Sequence, residues 1–535
     1  MLFSGKFGHA GLLLAAFGLS AHFTQADHIL AIFSYVFASP YRTVRPFINE
    51  LVEEGYQVTV ISALNHFEPI EKAHHIRVPM LDRLMHGLLD FEFDEDPMPS
   101  KWDEALWVSH FYRASVQYIL SDSGVQQLLH NSSAQFDLII MNTPHSDALC
   151  GFGIHFNAPM VGIAAYGSAW IVDYLAGNSA PSVYEPMSPV GYAYGSSSLL
   201  EKWQNWIYKT EEWLLERLVY LPPQLELYRK YFDNSHSSFD EIRRNFSLIL
   251  VNQHFSLGRA RSNVPNLIEV AGMHMCVHKN CKLDPIPDDI QRFMDEAKNG
   301  VIYFSMGMEI IEEWLPKHLK RVLIETFSKL KQRVLWKYDD LEPVKNKTDN
   351  IFIRSLMPQQ QILQHPNLKL FITHGGLLSI IEAAYYGVPT LGLPIYYDQF
   401  SNTQRMRIAG VGQTLDINSI NVEILNQTIH DMLKNPSYAR NAKKMSARFR
   451  DQPMSPLKTA VWWTEYTLRH KDASHMRLAE NDIGFLQYYC VDIVSILFGR
   501  IVLTALIVIV LTYKLLNYVI ARVPFSLSIP LLHLG

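Results

Sequence analysis

Apolar residues along this chain fall into short runs separated by stretches in which they recur at helical spacing. Residues 28–33, 57–61, 137–141, 159–163 and 247–252 read as short apolar strands. Between the first two, 44–54 has the periodicity of a helix with Pro46 in its first turn, which makes a βαβ opening. Residues 80–100 are acidic and punctuated by proline, an insertion before a helical stretch at 102–129. From Tyr166 to about Tyr231 the strands stop. There 191–198 reads as loop, and Trp203, Trp206, Trp213 and Leu214 share a helical face, read as ordinary core packing, the alternative being a cleft wall or a membrane-facing surface. Alternation resumes with a strand at 301–304 that turns at Ser305-Met306-Gly307. A helix at 314–331, strands at 334–337, 351–354, 368–373 and 388–393, and helices at 422–434 and before Pro453 follow. Such alternation predicts an α/β protein with parallel sheets covered on both faces.

Length sharpens this picture. With 535 residues, 48 % of them hydrophobic, the chain can fill two or more cores. A net charge of −5 gives no footprint for nucleic acid, and Lys443-Lys444 reads as a solvated helix face. Four cysteines are too few for a disulfide scaffold; Cys276 and Cys281 could bridge, and they lack the neighbours a metal site would need, so no metal is expected. No internal repeat or low-complexity tract is present.

Both ends carry targeting patterns. Lys6, an apolar run at 10–21 and Thr24-Gln25-Ala26 resemble a signal peptide over 1–26, so the mature chain is expected to begin near Asp27. Residues 493–513 reach the roughly 20 apolar residues that a spanning helix needs. Arg500 interrupts them near the lumenal interface, whereas Lys514 and Arg522 follow on the side expected to be cytoplasmic. Sequons at Asn131, Asn245, Asn346 and Asn426 would then be open to glycosylation.

The densest chemistry lies in 371–399, FITHGGLLSIIEAAYYGVPTLGLPIYYDQ. A strand ending at Thr373 breaks at His374-Gly375-Gly376 and continues as a helix through Leu378, Ile381, Ala384 and Tyr385 to Gly387. Free backbone N–H groups at a helix N-terminus behind glycines suit a phosphate, and His374 adds a donor. Asp398-Gln399 lies past the next strand's carboxyl end, where a carboxylate and an amide suit sugar hydroxyls.

From Met357-Pro358-Gln359 through His365-Pro366 to Asp398-Gln399, the segment closely resembles the signature of the UDP-glycosyltransferase family, above all its insect members with HGGLLS and GVP strings. The resemblance extends over nearly the whole mature chain. It implies two doubly wound Rossmann-like domains facing a cleft, the glycosyltransferase B fold, plus one C-terminal transmembrane helix. The expected partition is an acceptor-binding domain at 27–275, a UDP-sugar-binding domain at 276–485, a membrane helix at 490–513 and a cytoplasmic tail at 514–535. By resemblance Gln359 meets uracil, Glu382 the ribose, Ser305, His374, Gly376 and Ser379 the diphosphate region, Asp398 and Gln399 the sugar, and Arg261 stands near the donor. The reaction implied moves a hexose, glucose favoured over glucuronic acid, to a small lipophilic acceptor's hydroxyl. No cofactor is implied, since the UDP-sugar is itself the donor. A membrane and the two substrates are the expected partners, and a homo-oligomer is compatible with the family. The expected location is the endoplasmic reticulum membrane, as a single-pass type I protein with a lumenal body, although the end Leu531-Leu532-His533-Leu534-Gly535 is not the dilysine signal the family often carries.

Several positions depart from the family pattern. Leu356 replaces a tryptophan that stacks on uracil, Met308 a phosphate-binding serine, and Leu378 an asparagine of vertebrate members. Most consequentially, the family's catalytic histidine falls at Pro40 and its acidic partner at Asn142; neither can accept a proton or orient an imidazolium. Three readings stay open: a rearranged base, with His145 and Asp147 the nearest candidates; a slow transferase that relies on donor positioning; or a nucleotide-sugar-binding homologue that has lost the reaction. His145 itself reads most simply as a solvated loop histidine.

Overall fold

The computed structural model describes residues 27–63, 69–89, 101–178, 199–232, 238–258, 263–276, 283, 285–307, 317–338, 348–471, 473–477 and 490–522. The first half of the body contains β1 (His28–Ile32), α1 (Ala38–Glu53), β2 (Gln57–Ser62), β3 (His74–Arg77), α2 (Pro79–Leu89), α3 (Lys101–Ser121), α4 (Ser123–His130) and β4 (Leu138–Asn142). It continues with α5 (Gly151–His155), β5 (Met160–Ala164), α6 (Trp170–Ala176), α7 (Leu199–Leu215), α8 (Leu221–Phe232), α9 (Phe239–Arg243), β6 (Phe246–Val251) and β7 (Leu267–Glu269). The second half contains α10 (Asp288–Asp295), β8 (Val301–Ser305), α11 (Lys317–Ser328), β9 (Arg333–Lys337), β10 (Ile351–Arg354), α12 (Gln359–Gln364) and β11 (Leu368–Thr373). Then come α13 (Leu377–Tyr386), β12 (Thr390–Gly392), α14 (Gln399–Ile408), β13 (Gly412–Thr414), α15 (Val422–Lys434), α16 (Ser437–Arg450) and α17 (Pro456–His470).

These strands form two sheets, ordered β3-β2-β1-β4-β5-β6-β7 and β10-β9-β8-β11-β12-β13, and every pair is parallel. Parallel strands need crossovers, and the helices that supply them cover both faces, so the central strands are buried at every position and mostly apolar. Alternate residues of β8 show this: Ile302 and Phe304 pack under α11 and α15, while Val301 and Tyr303 pack under α10 and α12. In each sheet the strand order reverses once, between β1 and β4 and between β8 and β11. The crevices past those carboxyl ends are where an open α/β sheet takes its ligand.

The observed elements differ from the sequence expectation in instructive places. Helix α1 starts at Ala38 rather than 44 and carries Pro46 in its interior. The buried stripe Tyr41, Val44, Phe47, Ile48 and Leu51 packs on the sheet and outweighs the hydrogen bond that proline cannot make. The stretch 102–129 is two helices, broken where Asp122 accepts hydrogen bonds from Gly124 N (2.8 Å) and Val125 N (3.3 Å) as an N-cap. Residues 79–89, within the expected acidic insertion, are helical. The strand expected at 388–393 is the shorter β12, and the helix expected at 314–331 is α11. The short edge strand β3 is polar and half-exposed, and so lacks an apolar signal. Trp203 and Trp213 do lie on one helix, α7, but 59 % and 46 % exposed they are not core residues. The expected loop at 191–198 and the signal-like 1–26 lie outside the described residues. Cys276 is disulfide-bonded, Cys150 and Cys490 are free, and Cys281 lies outside the described residues.

Helix α17 has an unexpected partner. Although it follows the second sheet in sequence, its Leu457, Ala460, Val461 and Leu468 complete the core beneath β1, β2, β4 and α1 of the first. Ser455 caps it, accepting from Lys458 N, and Pro456 occupies its first turn.

Described separately, α18 (Val491–Arg522) is a 32-residue helix with a window of mean hydropathy 2.7, long and apolar enough to cross a bilayer.

The placement of α17 generates a test. Leu457→Ala should remove about 2–5 kcal/mol of stability. Hydrogen exchange should quicken in Ala38–Glu53, some four hundred positions away in sequence, and unchanged protection there would contradict the packing.

Candidate active site

At the crevice of the second sheet, β8 ends with Ser305, whose Oγ accepts a hydrogen bond from Gly307 N (3.2 Å). The neighbouring β11 ends with Thr373 and delivers His374. The His374 ring is packed between two glycines: a Cβ on Gly307 would lie 2.6 Å from its Cε1, and one on Gly376 2.4 Å from its Nε2. Only residues without a side chain admit the imidazole here. Burial lowers its pKa to about 4, so it is neutral near pH 7. Gly376 is the N-cap of α13 and has no side chain to cap the helix, which leaves first-turn N–H groups facing the crevice.

A second group forms one turn into α13. Gln359 Nε2 donates to Ser379 Oγ (3.1 Å) and to Glu382 Oε2 (2.8 Å), and Tyr303 Oη donates to Gln359 Oε1 (3.4 Å). Glu382 Oε1 lies 3.3 Å from His274 Nε2. Past β12, Asp398 Oδ2 and the Gly375 carbonyl both accept from Asn402 Nδ2 (2.7 and 3.1 Å), so one asparagine ties the two loops together. Gln399 uses its Oε1 to accept from Ile395 N (2.8 Å) and Tyr396 N (3.2 Å), which leaves its Nε2 as the polar end able to meet a ligand. The structure therefore brings Ser305, Gln359, His374, Gly376, Ser379, Glu382, Asp398 and Gln399 to one edge. Arg261 and Met308 lie outside the described residues, and Leu356 is 75 % exposed.

At the first sheet's crevice the two positions expected for the dyad hold no base. Pro40 is buried in the first turn of α1. Asn142, the last residue of β4, accepts from Ser34 N (2.8 Å) and donates to Ser34 Oγ (2.9 Å) and Ser146 Oγ (2.6 Å). Its neutral amide braces the turn after β1 rather than orienting an imidazole.

The two alternative candidates part company. Asp147 is committed to Arg243, whose Nε donates to its Oδ1 at 2.7 Å with both side chains buried. The same guanidinium bonds Glu216 through NH2 and lies 3.6 Å from Asp240 through NH1. His145 is buried rather than solvated, with φ 68°, and its Nδ1 is 3.9 Å from Glu216 Oε2. Glu216 and Tyr220 bound a five-residue π-helical turn between α7 and α8, and the Tyr220 ring lies 4.1 Å from His145 between centroids. Desolvation lowers the His145 pKa to about 4, opposed by Asp147 and assisted by Arg243. For Glu216 desolvation wins over the pull of Arg243 and raises the pKa to about 7.

His145 lines a small cavity walled by apolar side chains such as Val108, Trp170, Ile171 and Leu215. Tyr397, the residue before Asp398-Gln399, lines it too, and its ring meets Tyr166 of the first half edge-on at 5.8 Å. The sequence alone did not single out Glu216, Tyr220, Arg243, His274 or Tyr397. Tyr397 is adjacent to Asp398-Gln399; the others act through contacts between residues distant in the chain.

Comparison with known proteins agrees with this architecture. The sequence profile described as UDP-glucoronosyl and UDP-glucosyl transferase matches residues 72–524. The UDP-glycosyltransferase UGT5 of Dactylopius coccus is 32 % identical over 491 residues, covering 90 % of each chain. UDP-glucuronosyltransferase 2C1 of Oryctolagus cuniculus is 30 % identical over 373 residues, 68 % of this chain and 71 % of that one. The crystal structure of CalG4, the calicheamicin glycosyltransferase, superposes with a TM-score of 0.57 at 14 % identity, covering 84 % of this chain and all of that one, a likeness of fold. With two parallel Rossmann-like sheets in the glycosyltransferase B arrangement and a match of this length, the chain belongs to the UDP-glycosyltransferase family, the enzymes that transfer sugars from UDP to acceptors.

Proposed function

We propose that this protein moves glucose from UDP-glucose to a hydroxyl of a small lipophilic acceptor, with its body on the lumenal side of the endoplasmic reticulum membrane. The carrying observation is that Tyr397, on the loop leading to Asp398 and Gln399, also walls the apolar cavity of the first half, so that sugar and acceptor share one space. Ser305, His374 and the amides behind Gly376 hold the diphosphate as hydrogen-bond donors. Gln359 takes the uracil edge, Glu382 the ribose, Ser379 the diphosphate region, and Asp398 with the Gln399 amide the sugar hydroxyls. Arg261 serves as a cation beside the donor. Glucose is favoured over glucuronic acid because Glu104, Glu212 and Glu216 line the cavity, where a further carboxylate would be repelled, and no Lys or Arg is among its lining residues within the described residues. The relative named UDP-glucosyltransferase 2, from the same insect as UGT5, supports that choice. A nucleotide-sugar-binding role with weakened turnover is the second reading, favoured by Pro40 and by the neutral Asn142.

Binding tests the donor half. His374→Ala with Asp398→Ala should weaken UDP-glucose binding in calorimetry, each lost bond to a charged group being worth about 1.5–3 kcal/mol. Equal affinity in the double variant would mean these residues do not hold the donor. UDP-glucuronate should compete poorly.

Topology is tested in sealed microsomes. The body should resist added protease, and glycosidase should increase its mobility, since Asn131, Asn245 and Asn426 are exposed. Digestion of the body from outside would overturn the lumenal placement.

A further inference from the structure

Attack by an acceptor hydroxyl is assisted by a base that takes its proton, yet the family's positions for the dyad are occupied by a buried proline and a hydrogen-bonded amide. We propose that the base has moved to His145, with Glu216 as the residue that positions it. This rests on the transferase reading above.

Four independent features converge on the pair. First, His145 lines the cavity that Tyr397 shares, so its ring stands where acceptor and donor sugar meet. Second, its Nδ1 and Glu216 Oε2 face each other at 3.9 Å, both buried and both without a hydrogen-bond partner. A ring shift of less than 1 Å would bring them within hydrogen-bond range, and catalytic hydrogen bonds are often long before substrate binds. With Nδ1 turned to the carboxylate, Nε2 is the nitrogen left for a substrate. Third, His145 is a non-glycine residue at φ 68°, a left-handed conformation that persists where surroundings impose it and that clusters at functional sites. Fourth, Glu216 and Tyr220, which both approach the same imidazole, bound a π-helical turn, the wider winding that often marks function.

Arg243 explains how the pair is held. Its guanidinium binds Glu216 Oε1 and leaves Oε2 for His145, while Asp147 Oδ1 anchors the guanidinium from its other side. Other ionisable groups around the pair are Arg217 beside Glu216, Asp240 on Arg243, Tyr112 with its ring 5.5 Å from His145, and Glu104, Glu212 and Tyr397 on the cavity wall. Buried and unprotonated near neutral pH, His145 begins the reaction in its basic form. The acceptor O–H passes its proton to Nε2 as an oxygen lone pair forms the bond to the sugar's anomeric carbon. The bond from that carbon to the UDP β-phosphate oxygen breaks, and its electron pair leaves with UDP. The imidazolium so formed is stabilised by the Glu216 carboxylate and then releases its proton to solvent.

The test uses the full-length protein in membranes, measuring UDP release from UDP-glucose with a panel of phenols and alcohols, and UDP affinity by calorimetry. His145→Ala should keep UDP affinity and lower kcat by about 10²–10⁴-fold. Because burial raises Glu216 to about 7, kcat of the parent should climb with pH through that region as the carboxylate forms. Glu216→Gln should abolish that climb and lower kcat, and Glu216→Asp should restore part of it. If His145→Ala loses UDP binding through misfolding, His145→Gln takes its place with the same expectation. Parental kcat in the His145 variant overturns the relocated base and leaves the transferase reading intact. A lower kcat in Glu216→Gln with an unchanged pH profile makes Glu216 a structural residue only and overturns its positioning role. A parent that binds UDP-glucose but glycosylates no hydroxyl acceptor overturns both the base and the transferase reading.

Discussion

Everything functional in this protein follows from the saturation of backbone hydrogen bonds within two parallel sheets that are buried on both faces. A strand enclosed in this way has little room for a charged side chain along its length. Polar chemistry is pushed to the first residues past each carboxyl end, and it concentrates where the strand order reverses. Ser305 and His374 lie at one such reversal, Ser34 and Asn142 at the other. The two sheets obey the same constraint with different outcomes. One edge presents donors suited to an anion, and the other has closed into a neutral network of serine hydroxyls and an amide.

That neutral network makes the buried charges beside it stand out. Arg243, Asp147 and Glu216 are all but inaccessible to water, and a buried ion cluster is a weak source of stability compared with an apolar core of equal volume. Its value here is orientation. A guanidinium offers donors in a fixed plane, and by occupying one oxygen of Glu216 it fixes the direction of the other.

Much of the fold was legible because periodicity reports burial. Residues 368–373 and 422–434 fall where the pattern puts them, since β11 is mostly apolar and α15 is apolar on one face. The nucleotide-side loops were legible for a related reason: they are short and local, so His374, Gly376 and Glu382 are close in sequence as well as in space. Where the reading failed, a distant contact had decided the matter. Asp147 could not be assigned to Arg243, nor His145 to Glu216, because 96 residues separate the first pair and the second is likewise a contact between distant segments. The exposure of Trp203 and Trp213 is another case, since helical spacing alone does not say which side of a helix is covered.

The return of α17 to the first sheet also orders events during synthesis. A ribosome finishes β7 at Glu269 long before it reaches Pro456, so the face formed by Val44, Phe47 and Leu51 must wait for its last covering helix. At about 5–20 residues per second, that interval is on the order of ten seconds or more. During it the first half is an apolar surface in search of a partner. The intervening donor half can complete its own sheet in the meantime. A truncation just ahead of residue 456 therefore releases a protein whose nucleotide half is whole and whose acceptor half is not.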